Sequence, residues 1–119
     1  MHSELYHLGE YEAMRLNLAK AEKRPIIAIG TTSARTLEAN VSKYGHFTSE
    51  TAQTDIFIYP GYHFQAIDGL ITNFHLPKST LVMLVSAFCS REMVLDAYQE
   101  AIRKEYRFFS FGDSMFIHP

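Results

Sequence analysis

The chain has 119 residues, 47% of them apolar and 20% charged, with a formal net charge of −2. That length suits one domain, able to bury roughly 65–70% of the surface its unfolded chain exposes, and the composition excludes disorder, collagen-like repeats and low-complexity linkers. The scattered basic residues give no concentrated phosphate-binding patch, the single cysteine, Cys89, permits no internal disulfide, and the longest apolar run, 81–89, falls far short of the roughly 20 residues of a membrane-spanning helix.

Cys89 reads as a small buried hydrophobe in a reducing, cytoplasmic setting away from membranes. In chain order, Tyr11, Met14, Leu18 and Ala21 recur at helical spacing, so an amphipathic helix is expected over 10–22, ending before Pro25. "PIIAIG" then reads as a short buried strand. "TTSARTLEANVSKYG" reads as a helix with Leu37, Val41 and Tyr44 on one face and Gly45 as its stop. "TDIFIYPGYHFQAIDGLITNF" offers two or three strands broken at Pro60-Gly61 and Asp68-Gly69.

Residues 79–89 are apolar on all sides, the pattern of a helix buried between layers. Over 91–106, Met93, Ala97 and Ala101 with Val94, Tyr98 and Ile102 predict a second amphipathic helix. "YRFFSFG" reads as a strand and "DSMFIHP" as a loop with a short extended tail. The expected fold class is α/β: a mixed sheet flanked by helices.

Chemistry-bearing residues gather at the junctions. "GTTSAR" puts Thr31, Thr32 and Ser33 where the first backbone N–H groups of a helix lack internal acceptors and can face an anion, with Arg35 nearby. Ordinary capping accounts for the same hydroxyls, and the segment lacks the lysine and glycine spacing of a P-loop. In "NFHLPKST", Pro77 and the hydroxyls explain a turn into a helix. Asn73, His75 and Lys78 are left over, where a sheet edge meets a helix start. His2 and Glu4 fall on one side of an extended start, as a solvated pair or a site pair. Asp113 follows a glycine turn that it would also cap. The six histidines show no zinc-like spacing.

"MHSE", "GTTSARTLEA", "TDIFIYPGYHFQAIDGLITNFHLPKSTLVMLVSAF" and "YRFFSFGDSMFI" together resemble, in order and spacing, the last third of the S-adenosylmethionine:tRNA ribosyltransferase-isomerase family of queuosine biosynthesis. Departures are Ala34, Cys89-Ser90, Phe111 and Ser114, none of them a candidate acid or base. The resemblance implies a C-terminal α/β fragment over 1–119, belonging to a larger family domain.

The activity it implies moves the ribosyl moiety of S-adenosylmethionine onto 7-aminomethyl-7-deazaguanine in tRNA and isomerises it to epoxyqueuosine, releasing adenine and methionine. S-adenosylmethionine is a consumed substrate, with no metal or separate cofactor. The resemblance makes His2, Glu4, His75 and Asp113 the candidate acids and bases. It makes Thr31, Thr32, Ser33, Arg35, Tyr59, Tyr62, Asn73, Phe74 and Lys78 the candidate substrate contacts, the aromatic rings facing a sulfonium. A fragment is expected to be inactive alone and to self-associate through uncovered surface. The alternatives are a non-catalytic S-adenosylmethionine- or tRNA-binding module and a purely structural part.

Overall fold

The computed structural model describes residues 3–73, 80–106 and 114–118. Along the chain lie β1 (Glu4–Leu8), α1 (Glu10–Ala21), β2 (Ile27–Ile29), α2 (Thr31–Tyr44), β3 (Glu50–Thr54), β4 (Gly69–Asn73), α3 (Thr80–Phe88), α4 (Arg91–Arg103) and β5 (Ser114–Ile117). The expected α/β class with a mixed sheet is what forms. β1 and β3 make an antiparallel ribbon, while a second sheet has the order β2-β4-β5, parallel between β2 and β4 and antiparallel between β4 and β5.

Register decides the faces of the second sheet. Ala28 lies beside Leu70, and Leu70 beside Ile117, so these side chains share one face with Thr72 and Met115. That face meets the core, where Ala28, Leu70, Ala34, Leu84, Val85 and Val94 are all buried. The other face carries Ile27, Ile29, Gly69, Ile71 and Phe116, with Asn73 and Ser114 at its carboxyl edge. Between the strand starts, Ile26 N–H donates to Asp68 Oδ2 (2.8 Å) and Asp68 N–H to the Ile26 carbonyl (2.7 Å), which sets the parallel register.

Helix ends follow local chemistry. Gly45 takes the left-handed conformation (φ 80°) and closes α2 by donating to the Val41 carbonyl. Ser90 caps α4 by accepting from Met93 N–H at 3.1 Å.

Four expectations need correction. In α1 the stripe Tyr11, Met14 and Leu18 faces outward, and Ala13 and Ala19 face the core, because small side chains permit the closer approach there. β2 is buried on one face alone, through Ala28. Residues 55–59 form no strand: the Ile56 carbonyl accepts from the Arg35 guanidinium instead of from a ladder, and Ile58 is buried in the core with Ile56 packed half-buried against it. The tail expected at the end of the chain includes a strand, β5, because its residues find an antiparallel partner in β4. The strand expected over "YRFFSFG" lies almost wholly outside the described residues.

Candidate functional site

The carboxyl ends of the parallel strands β2 and β4 lie side by side, the position where open α/β sheets receive ligands. The chain leaves β2 through Gly30 (φ 93°), whose N–H donates to the Ile71 carbonyl at 2.7 Å, and turns at once into α2. Only glycine adopts that dihedral without strain. Gly30 is also the N-cap and brings no side chain to it, so capping does not account for the hydroxyls of Thr31, Thr32 and Ser33. The helix's own bonding begins with Ala34 N–H to the Gly30 carbonyl (3.2 Å), leaving the N–H groups of 31–33 without intrahelical acceptors. Thr32 and Ser33 are exposed.

Asn73 ends β4 at this same edge, exposed and in register with Ser114, the first residue of β5. Asn73 is followed in sequence by 74–79, and Ser114 is preceded by 107–113. Those segments contain Phe74, His75, Lys78 and Asp113, which with His2 lie outside the described residues.

One turn into α2, Arg35 is buried (1% exposed). Its Nη1 donates to Glu4 Oε1 at 2.8 Å, and its Nε and Nη2 donate to the Ile56 carbonyl at 3.2 and 3.0 Å. Glu4 keeps partial solvent access, its side chain 28% exposed. The structure thus brings together two candidates, Glu4 and Arg35, and holds the start of β1 against α2.

The remaining candidates stand on the loop between β3 and β4. Tyr59 is exposed beside Phe57, their rings 5.8 Å apart. Tyr62 is half-buried, and its hydroxyl donates to Glu38 Oε1 at 3.0 Å. Burial first, then the neighbouring Glu38 carboxylate, pushes its pKa up to about 12. Its ring packs edge-on against Phe64, which packs in turn against Phe88.

Two carboxylates missed at the sequence level organise this region. Glu38, fully buried, accepts from Gln65 N–H (2.8 Å), Ala66 N–H (2.7 Å) and Ile67 N–H (3.0 Å) as well as from Tyr62. Its signal was present: Ala34, Glu38 and Val41 lie on one helical stripe, and an acid among apolar residues there must be satisfied internally. Glu50 accepts from the Tyr6 hydroxyl (2.5 Å), Lys43 Nζ (2.6 Å), the Tyr44 hydroxyl (2.6 Å) and Asn40 Nδ2 (3.3 Å). Asn40, Lys43 and Tyr44 share one face of α2 by helical spacing, but nothing in the sequence links them to Glu50 or Tyr6.

A shallow groove of about 530 Å³ beside Phe88, Cys89, Met93 and His118 lies at the opposite end of β5 from Ser114, away from the carboxyl edge. Burial raises the Cys89 thiol pKa, and its Sγ approaches the Val85 carbonyl at 3.4 Å, consistent with a packed, inert residue. Among the described residues no cluster of three or more His, Cys, Asp or Glu is arranged to hold a metal ion, and no helix is long and apolar enough to cross a membrane.

The model of the family described as "Queuosine biosynthesis protein" matches residues 1–117. The chain belongs to that family. Within it, the chain is similar to the S-adenosylmethionine:tRNA ribosyltransferase-isomerases of Macrococcus caseolyticus, with 57% identity over 118 residues, and Staphylococcus haemolyticus, with 62% over 117. These alignments cover 99% and 98% of this chain but 35% and 34% of the relatives, so the chain spans about a third of their length. A solved structure, the S-adenosylmethionine tRNA ribosyltransferase of Thermotoga maritima, superposes with a TM-score of 0.88 at 43% identity. It covers 95% of this queuosine-family chain and 40% of its own. The described fold is therefore the family's fold for this portion.

Proposed function

We propose that residues 1–119 are the C-terminal α/β part of a cytoplasmic S-adenosylmethionine:tRNA ribosyltransferase-isomerase, inactive without the rest of the enzyme. The observation that carries this reading is the similarity, along almost the whole chain, to relatives bearing that name. The reaction transfers the ribosyl moiety of S-adenosylmethionine to 7-aminomethyl-7-deazaguanine in tRNA and closes it to the epoxycyclopentane of epoxyqueuosine. Adenine and methionine leave.

In this reading the edge at Gly30–Ser33 and Asn73 receives S-adenosylmethionine. The N–H groups of 31–33 meet the methionyl carboxylate, a helix-start interaction worth ~0.3–1 kcal/mol at an exposed site. The exposed ring of Tyr59 faces the sulfonium, an attraction of roughly 0.5–2 kcal/mol. Tyr62, tied to Glu38, acts by holding its loop in place. The sulfonium acidifies the adjacent ribose carbon, and a base removes its proton while an acid assists adenine's departure. Positioned groups of this kind contribute about 10²–10⁴-fold. Glu4, His2, His75 and Asp113 are the candidates, and Arg35 orients Glu4. Phe74 and Lys78 are further candidate substrate contacts, Lys78 for a tRNA phosphate or the substrate carboxylate.

The test is a single-turnover assay of adenine release from S-adenosylmethionine, with tRNA carrying the 7-deazaguanine base. It compares this chain alone with a chimaera in which the chain replaces the matched third of the Staphylococcus haemolyticus relative. Release by the chimaera alone is expected. A folded chimaera that binds S-adenosylmethionine without releasing adenine would count against the reading. Glu4→Gln in the chimaera is expected to slow release by at least about 10²-fold; a loss under about threefold removes Glu4 as acid or base.

A further inference from the structure

The outer face of the β2-β4-β5 sheet is apolar up to Asn73 and Ser114 at its carboxyl edge, and no described helix or strand covers it. Ile29 is 71% exposed, Phe116 55% and Ile27 38%, while Ile71, between Ile29 and Phe116 in register, is half-buried. Gly69 completes the surface: a Cβ there would stand 2.6 Å from Ile27 Cδ1 and 3.3 Å from Phe116 Cε1, so both side chains lean over the glycine. Across these positions there is no charge. Beyond the edge strand β2 lies a groove of about 480 Å³ whose apolar lining of Leu16, Ile26, Ile27 and Tyr11 is interrupted by Glu12, Arg15 and Arg24. Met14 and Leu18 extend the exposed helical stripe.

This arrangement is out of keeping with a free surface. Parallel strand pairs are covered on both faces, and α2, the helix of the crossover from β2 to β4, covers only the inner one. Exposed edges of natural sheets are normally protected by lysine, proline or a bulge, whereas β2 reads Ile-Ala-Ile. Contiguous exposed apolar surface of this kind marks an interaction site.

We infer that this face is an intramolecular interface, covered in the longer family enzyme by the part that lies outside the region matched here. Length argues for that occupant. The same fold recurs with a TM-score of 0.88 inside a solved chain of which it makes up only 40%. More than half of that polypeptide is thus available to pack on it. The inference is independent of the reaction proposed above, since it concerns packing and is read without turnover.

Thiol alkylation tests it. With Cys89→Ser as background, Ile29→Cys and Phe116→Cys are each placed in the isolated chain and in the Staphylococcus haemolyticus chimaera. Rates are normalised to those in denaturant. Both positions are expected to react at least tenfold more slowly in the chimaera, and Gln99→Cys, on the exposed side of α4 away from Phe116, serves as the comparison site. Equal rates in the two contexts overturn the inference. Protection already present in the isolated chain, and growing with its concentration, assigns the face to a second copy and overturns it equally. Phe116→Asp gives a second reading that needs no label: the urea midpoint should be nearly unchanged in the isolated chain and clearly lowered in the chimaera. An equal shift in both would also refute it.

Discussion

Glu50 concentrates more hydrogen-bond donors than its surroundings in the sequence would suggest. Bonds from Lys43, then Tyr44, then Tyr6 hold its carboxyl down at about 2. An unfolded chain carries the same carboxyl near its ordinary 4.5. Above that value both states are ionised and the contribution to stability is complete; as pH falls from 4.5 toward 2 the unfolded state takes up the proton first and the contribution is lost. The urea midpoint should therefore fall over that window, and Glu50→Gln should flatten part of the fall. Identical pH slopes for the two proteins would remove Glu50 from the account. Such a cluster was not legible in the sequence because Tyr6 and Glu50 are 44 residues apart and only the β1-β3 register brings them together.

At the scale of elements, the helices were legible and their orientation was not. Pro25, Gly45 and the 3.6-residue repeats mark where α1 and α2 run, since termination and periodicity are local properties. Which face points inward depends on neighbours: in α1 the larger apolar side chains, Tyr11, Met14 and Leu18, look outward while Ala13 and Ala19 pack. The misread strand over 55–59 has a similar origin, its alternation being real but its carbonyl at Ile56 committed to Arg35. Local capping, by contrast, should behave as an independent part. Ser90→Ala removes the acceptor for Met93 N–H and is expected to cost about 1 kcal/mol in chemical denaturation; no measurable change would mean that α4 starts without its cap.

For the whole molecule, the Glu4–Arg35 pair links the first strand, the second helix and the loop after β3. Removing one partner of a buried pair strands the other's charge, typically at a cost of 3–5 kcal/mol, and Glu4's partial exposure puts the expectation for Glu4→Ala at about 3 kcal/mol. Glu4→Gln, which keeps an oxygen for Arg35, should lose clearly less in urea melts; equal losses would show that charge rather than hydrogen bonding holds the junction. The strand-to-helix junctions at Gly30–Ser33 and after Asn73 were legible singly, and that they share one carboxyl edge comes from the β2-β4 register. The roles of Glu4 and Arg35 as mutual partners were not legible, because 31 residues separate them.

Glu38 has a consequence for time as well as for position. Residues 65–67 belong to no helix or strand, yet their three successive N–H groups all end on one buried carboxylate of α2. Their amide hydrogens can exchange with solvent only when that contact opens. The loop that carries Tyr62 therefore keeps the clock of the helix and not that of an exposed turn.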